Sequence, residues 1–95
     1  MSYARKIVLH CRTPDVGRVS RLVEDLIRDG VVFVGLVGRD CAHFEDIVDE
    51  TVVGDGSRDH FILTSSHPDY TLAEAVEFAE SLSGEYEGEV QVVEI

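Results

Sequence analysis

Basic residues all but vanish from the second half of this chain. After Arg39 the only Lys or Arg is Arg58, set against fifteen Asp and Glu. Earlier, Arg5, Lys6, Arg12, Arg18, Arg21, Arg28 and Arg39 outnumber four acids, and the whole chain carries −11. Such a field repels nucleic acid and anionic membranes and attracts basic partners. Long hydrophobic runs are also missing. The longest is Val31–Val37, broken by Gly35, far short of the ~20 residues of a membrane-spanning helix. No apolar segment follows the basic residues Arg5 and Lys6, so no signal peptide is read and a cytoplasmic protein is expected. Cysteine is limited to Cys11 and Cys41. Two cysteines make no disulfide framework, and reduced thiols are expected.

Metal and nucleotide signatures are absent too. His10, His43, His60 and His67 show no His-x-x-x-His spacing, and the cysteines lie far apart. Asp55-Gly56-Ser57-Arg58-Asp59 lacks the register and closing Glu of a calcium loop. Gly35-Leu36-Val37-Gly38 has no third glycine for a dinucleotide turn. No cofactor and no metal are therefore expected.

Strand and helix patterns alternate along the chain. Lys6–Cys11 has a continuous apolar centre, as in a strand buried on both faces. Thr13-Pro14-Asp15 then reads as a helix start, with Thr13 as the cap. Val16, Val19, Leu22, Val23, Leu26 and Ile27 form one apolar stripe, with Arg18, Arg21, Glu24, Asp25 and Arg28 elsewhere, and Gly30 is the stop. Val31–Val37 predicts a second strand. A helix capped by Asp40 follows to about Asp49, then a short extended piece at Thr51-Val52-Val53 and a turn at Gly54–Ser57. His60–Ser65 predicts a third strand and Val90–Ile95 a fourth. Between them Thr71 caps a helix that turns Leu72, Ala75, Val76, Ala79 and Leu82 inward.

This alternation predicts one α/β domain over residues 1–95. It is a small three-layer sandwich with three helices and a four-stranded, mostly parallel sheet in the order 2-1-3-4, Rossmann- or flavodoxin-like. An antiparallel last strand stays open. So small a sheet leaves room for a homodimer through an edge or a helix face.

Ligands of open parallel sheets bind beyond the carboxyl ends of the strands. That edge collects Cys11, Arg12, Thr13 and Asp15, then Gly38, Arg39, Asp40 and Cys41, then Ser65, Ser66, His67 and Asp69. An enzymatic reading would use Cys11 as nucleophile at a helix start, His67 as base and Asp40 beside them. The phosphatase loop that places a cysteine there needs an Arg six positions later, but Gly17 occupies that place and the arginine is Arg18. Pro14 and Asp15 also spoil a phosphate cradle. A buried structural cysteine explains Cys11 more simply.

From Val31 to about Leu82 the chain resembles a bacterial family of small proteins known as a domain of unknown function. The resemblance is carried by Val37-Gly38-Arg39-Asp40, by Phe44-Glu45-Asp46-Ile47-Val48-Asp49-Glu50, by Val53-Gly54-Asp55-Gly56 and by Thr64-Ser65-Ser66-His67. It implies a bacterial cytosolic α/β protein and assigns no catalytic or binding residue. The residues name no reaction. They point first to an acidic, non-enzymatic protein, an antitoxin- or immunity-like inhibitor that docks a basic partner through Glu45, Asp46, Asp49, Glu50, Glu74, Glu77 and Glu80. The alternative is a cysteine-dependent enzyme or small-ligand domain at the strand edge around Cys11 and His67.

Overall fold

The computed structural model describes residues 3–12, 15–54 and 62–95. Four strands and three helices alternate: β1 (Lys6–Cys11), α1 (Val16–Arg28), β2 (Phe33–Gly38), α2 (Cys41–Val53), β3 (Leu63–His67), α3 (Leu72–Glu80) and β4 (Val90–Glu94). A single 3₁₀ turn, Gly84–Tyr86, precedes β4. Every strand pair is parallel, which removes the antiparallel option for β4.

The strand order is β3-β2-β1-β4, not the expected 2-1-3-4. Polarity explains the difference. β1 and β2 are apolar almost throughout and buried at nearly every position, so they take the centre. β3 reads Leu-Thr-Ser-Ser-His and is only half-buried at all five positions. Its hydroxyls suit an edge, where one side of the strand meets water. β4 is mostly exposed and takes the other edge.

This order also decides the layers. The chain steps from β1 to β2 to β3 in one direction and then returns past β1 to β4. A right-handed crossover places helices on opposite faces for opposite directions of travel. Accordingly α1 and α2 share one face. There Val19, Val23 and Leu26 of α1 and Phe44, Ile47 and Val48 of α2 bury Ile7, Leu9, Val34 and Leu36. On the other face Ala75 and Ala79 of α3 pack on Val8, Phe33 and Val37. Each fully buried Val, Leu, Ile or Phe contributes about 1.5–3 kcal/mol.

Element ends differ from the sequence expectation in instructive ways. The described N-cap of α1 is Asp15, whose Oδ1 accepts the Arg18 N–H at 3.0 Å; the expected cap, Thr13, and Pro14 lie outside the described residues. Gly30 does end the helix, at φ 79°, with Val31 N–H donating to the Leu26 carbonyl at 3.1 Å. Asp40 stands at the N-cap of α2 with φ 60°, but its side chain makes no cap bond; its carbonyl accepts His43 and Phe44 N–H instead. α2 absorbs Thr51-Val52-Val53, which the sequence reading made extended. Val52 continues the buried row of Phe44 and Val48, and the Thr51 hydroxyl bonds the Ile47 carbonyl at 2.8 Å. β3 begins at Leu63 and ends at His67, later than His60–Ser65. His60 and the turn from Asp55 to Ser57 lie outside the described residues. Thr71 closes a full capping box with Glu74 at the start of α3, as expected of a cap.

Candidate functional site

The order in which the chain adds strands reverses between β1 and β4, and open α/β sheets bind ligands beyond the strand carboxyl ends at such a reversal. The two strands stay paired to their ends. Ile95 N–H donates to the His10 carbonyl at 3.0 Å, and Arg12 N–H to the Ile95 carbonyl at 2.7 Å. Arg12, Arg18, Glu94 and Ile95 line a depression of about 250 Å³ there. A second, of about 260 Å³, continues from it along the seam between α1 and β4. It shares Arg18, Glu94 and Ile95 and adds Tyr3, Arg21, Leu22, Asp25 and Val93.

Local chemistry sets the character of this cleft. Arg12 leaves β1, and Arg18 and Arg21 stand on the first two turns of α1. Arg12 and Arg18 line the first depression, and Arg18 and Arg21 the second. Guanidinium forks match carboxylate and phosphate oxygens in pairs. Opposing them, Glu94 Oε2 sits 3.0 Å from Arg12 Nη1, with both side chains more than half exposed. Asp15 caps the first turn of α1, so its carboxylate holds one of the helix N–H groups that an anion would otherwise use.

The residues singled out for enzymatic chemistry do not converge. Cys11 is 2 % exposed within the core under α1 and α2. Burial, with Cys41 nearby, pushes its thiol from 9.0 up to about 12. That is the opposite of an activated nucleophile. Cys41 is also buried in this core, and its thiol is pushed up, chiefly by burial, against hydrogen bonds that include the His67 backbone. Both thiols are free. The His67 ring lies on the opposite face. It stacks on Tyr70 at 4.5 Å, leans on Phe78 of α3 at 4.7 Å, and its Nε2 pairs with Ser65 Oγ at 2.6 Å. The sheet therefore stands between the Cys11 thiol and the His67 imidazole. Asp40 is exposed at the start of α2. His10 alternates to the α3 face, in register with Val37 and Glu94, and among the described residues its buried Nδ1 has no partner.

The seven acidic residues proposed to dock a basic partner lie on two helices, one on each face of the sheet. Glu45, Asp46, Asp49 and Glu50 ride on α2, and Glu74, Glu77 and Glu80 on α3, across the sheet. Asp49 accepts the Thr64 hydroxyl at 2.7 Å and Glu74 is spent on its capping box. Among the described residues none of the seven forms an ion pair. Nor do three or more His, Cys, Asp or Glu gather to hold a metal ion, and no described helix is long and apolar enough to cross a membrane.

A family model spans residues 5–95, nearly the whole chain, and its description is a domain of unknown function, DUF7684. The chain belongs to this family. No curated protein and no solved structure matches it. The DUF7684 assignment brings no catalytic or binding residue with it, so function rests on the geometry of the cleft and the surface. Arg18, Arg21 and Glu94 were missed by sequence reasoning because α1's arginines read as its solvated face. They become a site only once β4 is known to lie beside β1.

Proposed function

We propose that this DUF7684 domain is a binding domain that takes a small anion in the cleft between β1 and β4. One observation carries the reading: Arg12 and Arg18 line a depression at the point where the strand order reverses, and Arg21 lines the neighbouring one. The acidic surface does not oppose it at physiological salt. A Debye length of about 8 Å screens the distant carboxylates while direct guanidinium contacts persist. Amide chemical shifts during titration with inorganic phosphate at 0.15 M salt test it. Saturable shifts at Arg12, Arg18 and Glu94, lost in Arg12→Ala/Arg18→Ala but kept in Arg5→Ala, are expected. Unmoved amides, or equal loss in both variants, would sink it.

A second reading, docking of a basic protein in the antitoxin manner, has one observation in its favour. Glu77 and Glu80 occupy the last turn of α3, where the helix dipole disfavours negative charge; that turn holds no basic residue of its own, and Lys6 reaches its end from β1. Carboxylates held there against stability suit an outside partner. Charge reversal of that turn tests it, and salt-sensitive capture that survives reversal would remove the reading.

A further inference from the structure

We infer that the ligand of this cleft is an organic anion, a phosphate or carboxylate group joined to an apolar body, rather than a bare inorganic ion. This rests on the reading above and adds the chemistry of the rest of the ligand. β4 extends the sheet beyond β1 on the side away from α2. On that face only the flank of α1 reaches it, so Val93 and Ile95 pack into the core from one side and line the seam from the other. Leu22 joins them from α1, half-buried, and Tyr3 closes the far end.

The cleft is thus amphipathic along its length. Arg12 and Arg18 head it at the strand ends, and Leu22, Val93 and Ile95 form an apolar floor below. An inorganic anion fills the head and leaves that floor wet. An aromatic or aliphatic body attached to the anion covers it and removes apolar surface from water. The two adjoining depressions, about 250 and 260 Å³, each approach the size at which small-molecule pockets begin, about 300 Å³. Asp25, at the seam, is engaged by Arg28 at 2.8 Å. Glu94 is the one acidic side chain lining the head among the described residues.

The test compares inorganic phosphate with phenyl phosphate by amide shifts and by calorimetry. Phenyl phosphate is expected to bind about tenfold tighter, a difference of about 1.4 kcal/mol. Its added shifts should fall on Tyr3, Leu22 and Val93. Leu22→Gln should weaken phenyl phosphate more than inorganic phosphate and so narrow the difference between them. Tyr3→Ser, at the rim, is the second variant and should cut the difference even where Leu22→Gln perturbs folding. Equal affinity of the two probes, or tighter phenyl phosphate binding that leaves Tyr3, Leu22 and Val93 unmoved, overturns this inference and leaves the anion site standing. Failure of both probes to bind overturns the anion site itself.

Discussion

Lys6 Nζ donates a 2.6 Å hydrogen bond to the carbonyl oxygen of Ala79, across 73 residues of sequence. A lysine that is 1 % exposed would ordinarily be costly. Here the ammonium sits at the carboxyl end of α3, also 3.5 Å from the Leu82 carbonyl. The negative end of a helix stabilises a cation, and the Ala79 carbonyl has no regular i+4 helical partner there. β1 is thereby tied to the end of α3 by a charge. Lys6→Met keeps the apolar stem and removes the donor. Leu82 N–H still reaches Ala79 O at 3.3 Å, so one partner remains. A loss of about 1–2 kcal/mol is expected. It would be read as a lower urea midpoint with unchanged slope, and a variant as stable as the native chain would rule out the capping role.

Glu94 competes with any ligand for Arg12. The pair is exposed, so it adds little to folding, about 0–1 kcal/mol. Glu94→Gln should leave stability within about 0.5 kcal/mol. It should also strengthen phosphate binding about two- to fivefold, the range that releasing such a pair allows. Weaker binding in Glu94→Gln would mean that the carboxylate orients Arg12 rather than blocking it.

Cys11 gives a pH signature. Its thiol titrates at about 12 in the fold against 9.0 ordinarily. Between those values the unfolded chain has lost the proton and the folded chain keeps it, so stability falls as pH rises. The full contribution is present below about pH 9, and the slope approaches about 1.4 kcal/mol per unit above it. Denaturation from pH 8.5 to 10.5 should show a shallower fall in Cys11→Ala than in the native chain. Iodoacetamide at pH 7.5 should modify Cys11 only on unfolding. Rapid alkylation of the folded protein would restore the nucleophile reading.

How far such features were legible in the sequence depends on whether they are local. The unbroken apolar run of β1, the stripe on α1 and the box at Thr71 and Glu74 are set by near neighbours and emerge from the pattern. α2 was shortened at Asp49 because three β-branched residues resemble a strand, yet Val52 falls four residues after Val48 and packs with it. Strand order depends on competition for the centre of the sheet. The polarity of Thr64, Ser65 and Ser66 was the available signal that β3 belongs at an edge. The cleft was less legible still, since Arg18 and Glu94 lie at opposite ends of the chain. His67 was rightly placed at the strand edge, but pairing it with Cys11 required a common face, and alternation along β1 and β3 denies it.

Gly38 shows what holds the end of β2 in place. It sits at φ +112°, and a Cβ there would stand 2.7 Å from the Cys11 carbonyl oxygen. Glycine alone tolerates both the left-handed backbone and the contact with the neighbouring strand. Gly38→Ala should therefore cost at least about 1–3 kcal/mol from the backbone alone. In a domain of this size each kcal/mol lowers Tm by about 4–8 °C. A Tm within about 2 °C of native would show that the turn into α2 relaxes freely.

The last turn of α3 separates a docking role from simple solubility. Glu77 and Glu80 face the negative end of their own helix with no basic residue in that turn. Replacing each with Lys should stabilise the protein by about 0.3–1 kcal/mol, because the new charge complements the dipole. A docking surface predicts that the same double variant loses salt-sensitive capture of a basic protein. Asp46→Lys/Glu50→Lys, across the sheet on α2, should keep it, since one partner cannot cover both faces. Higher Tm with unchanged capture would assign these carboxylates to solubility. An unchanged Tm would remove the argument that they are kept at a cost, and with it the observation that favours docking.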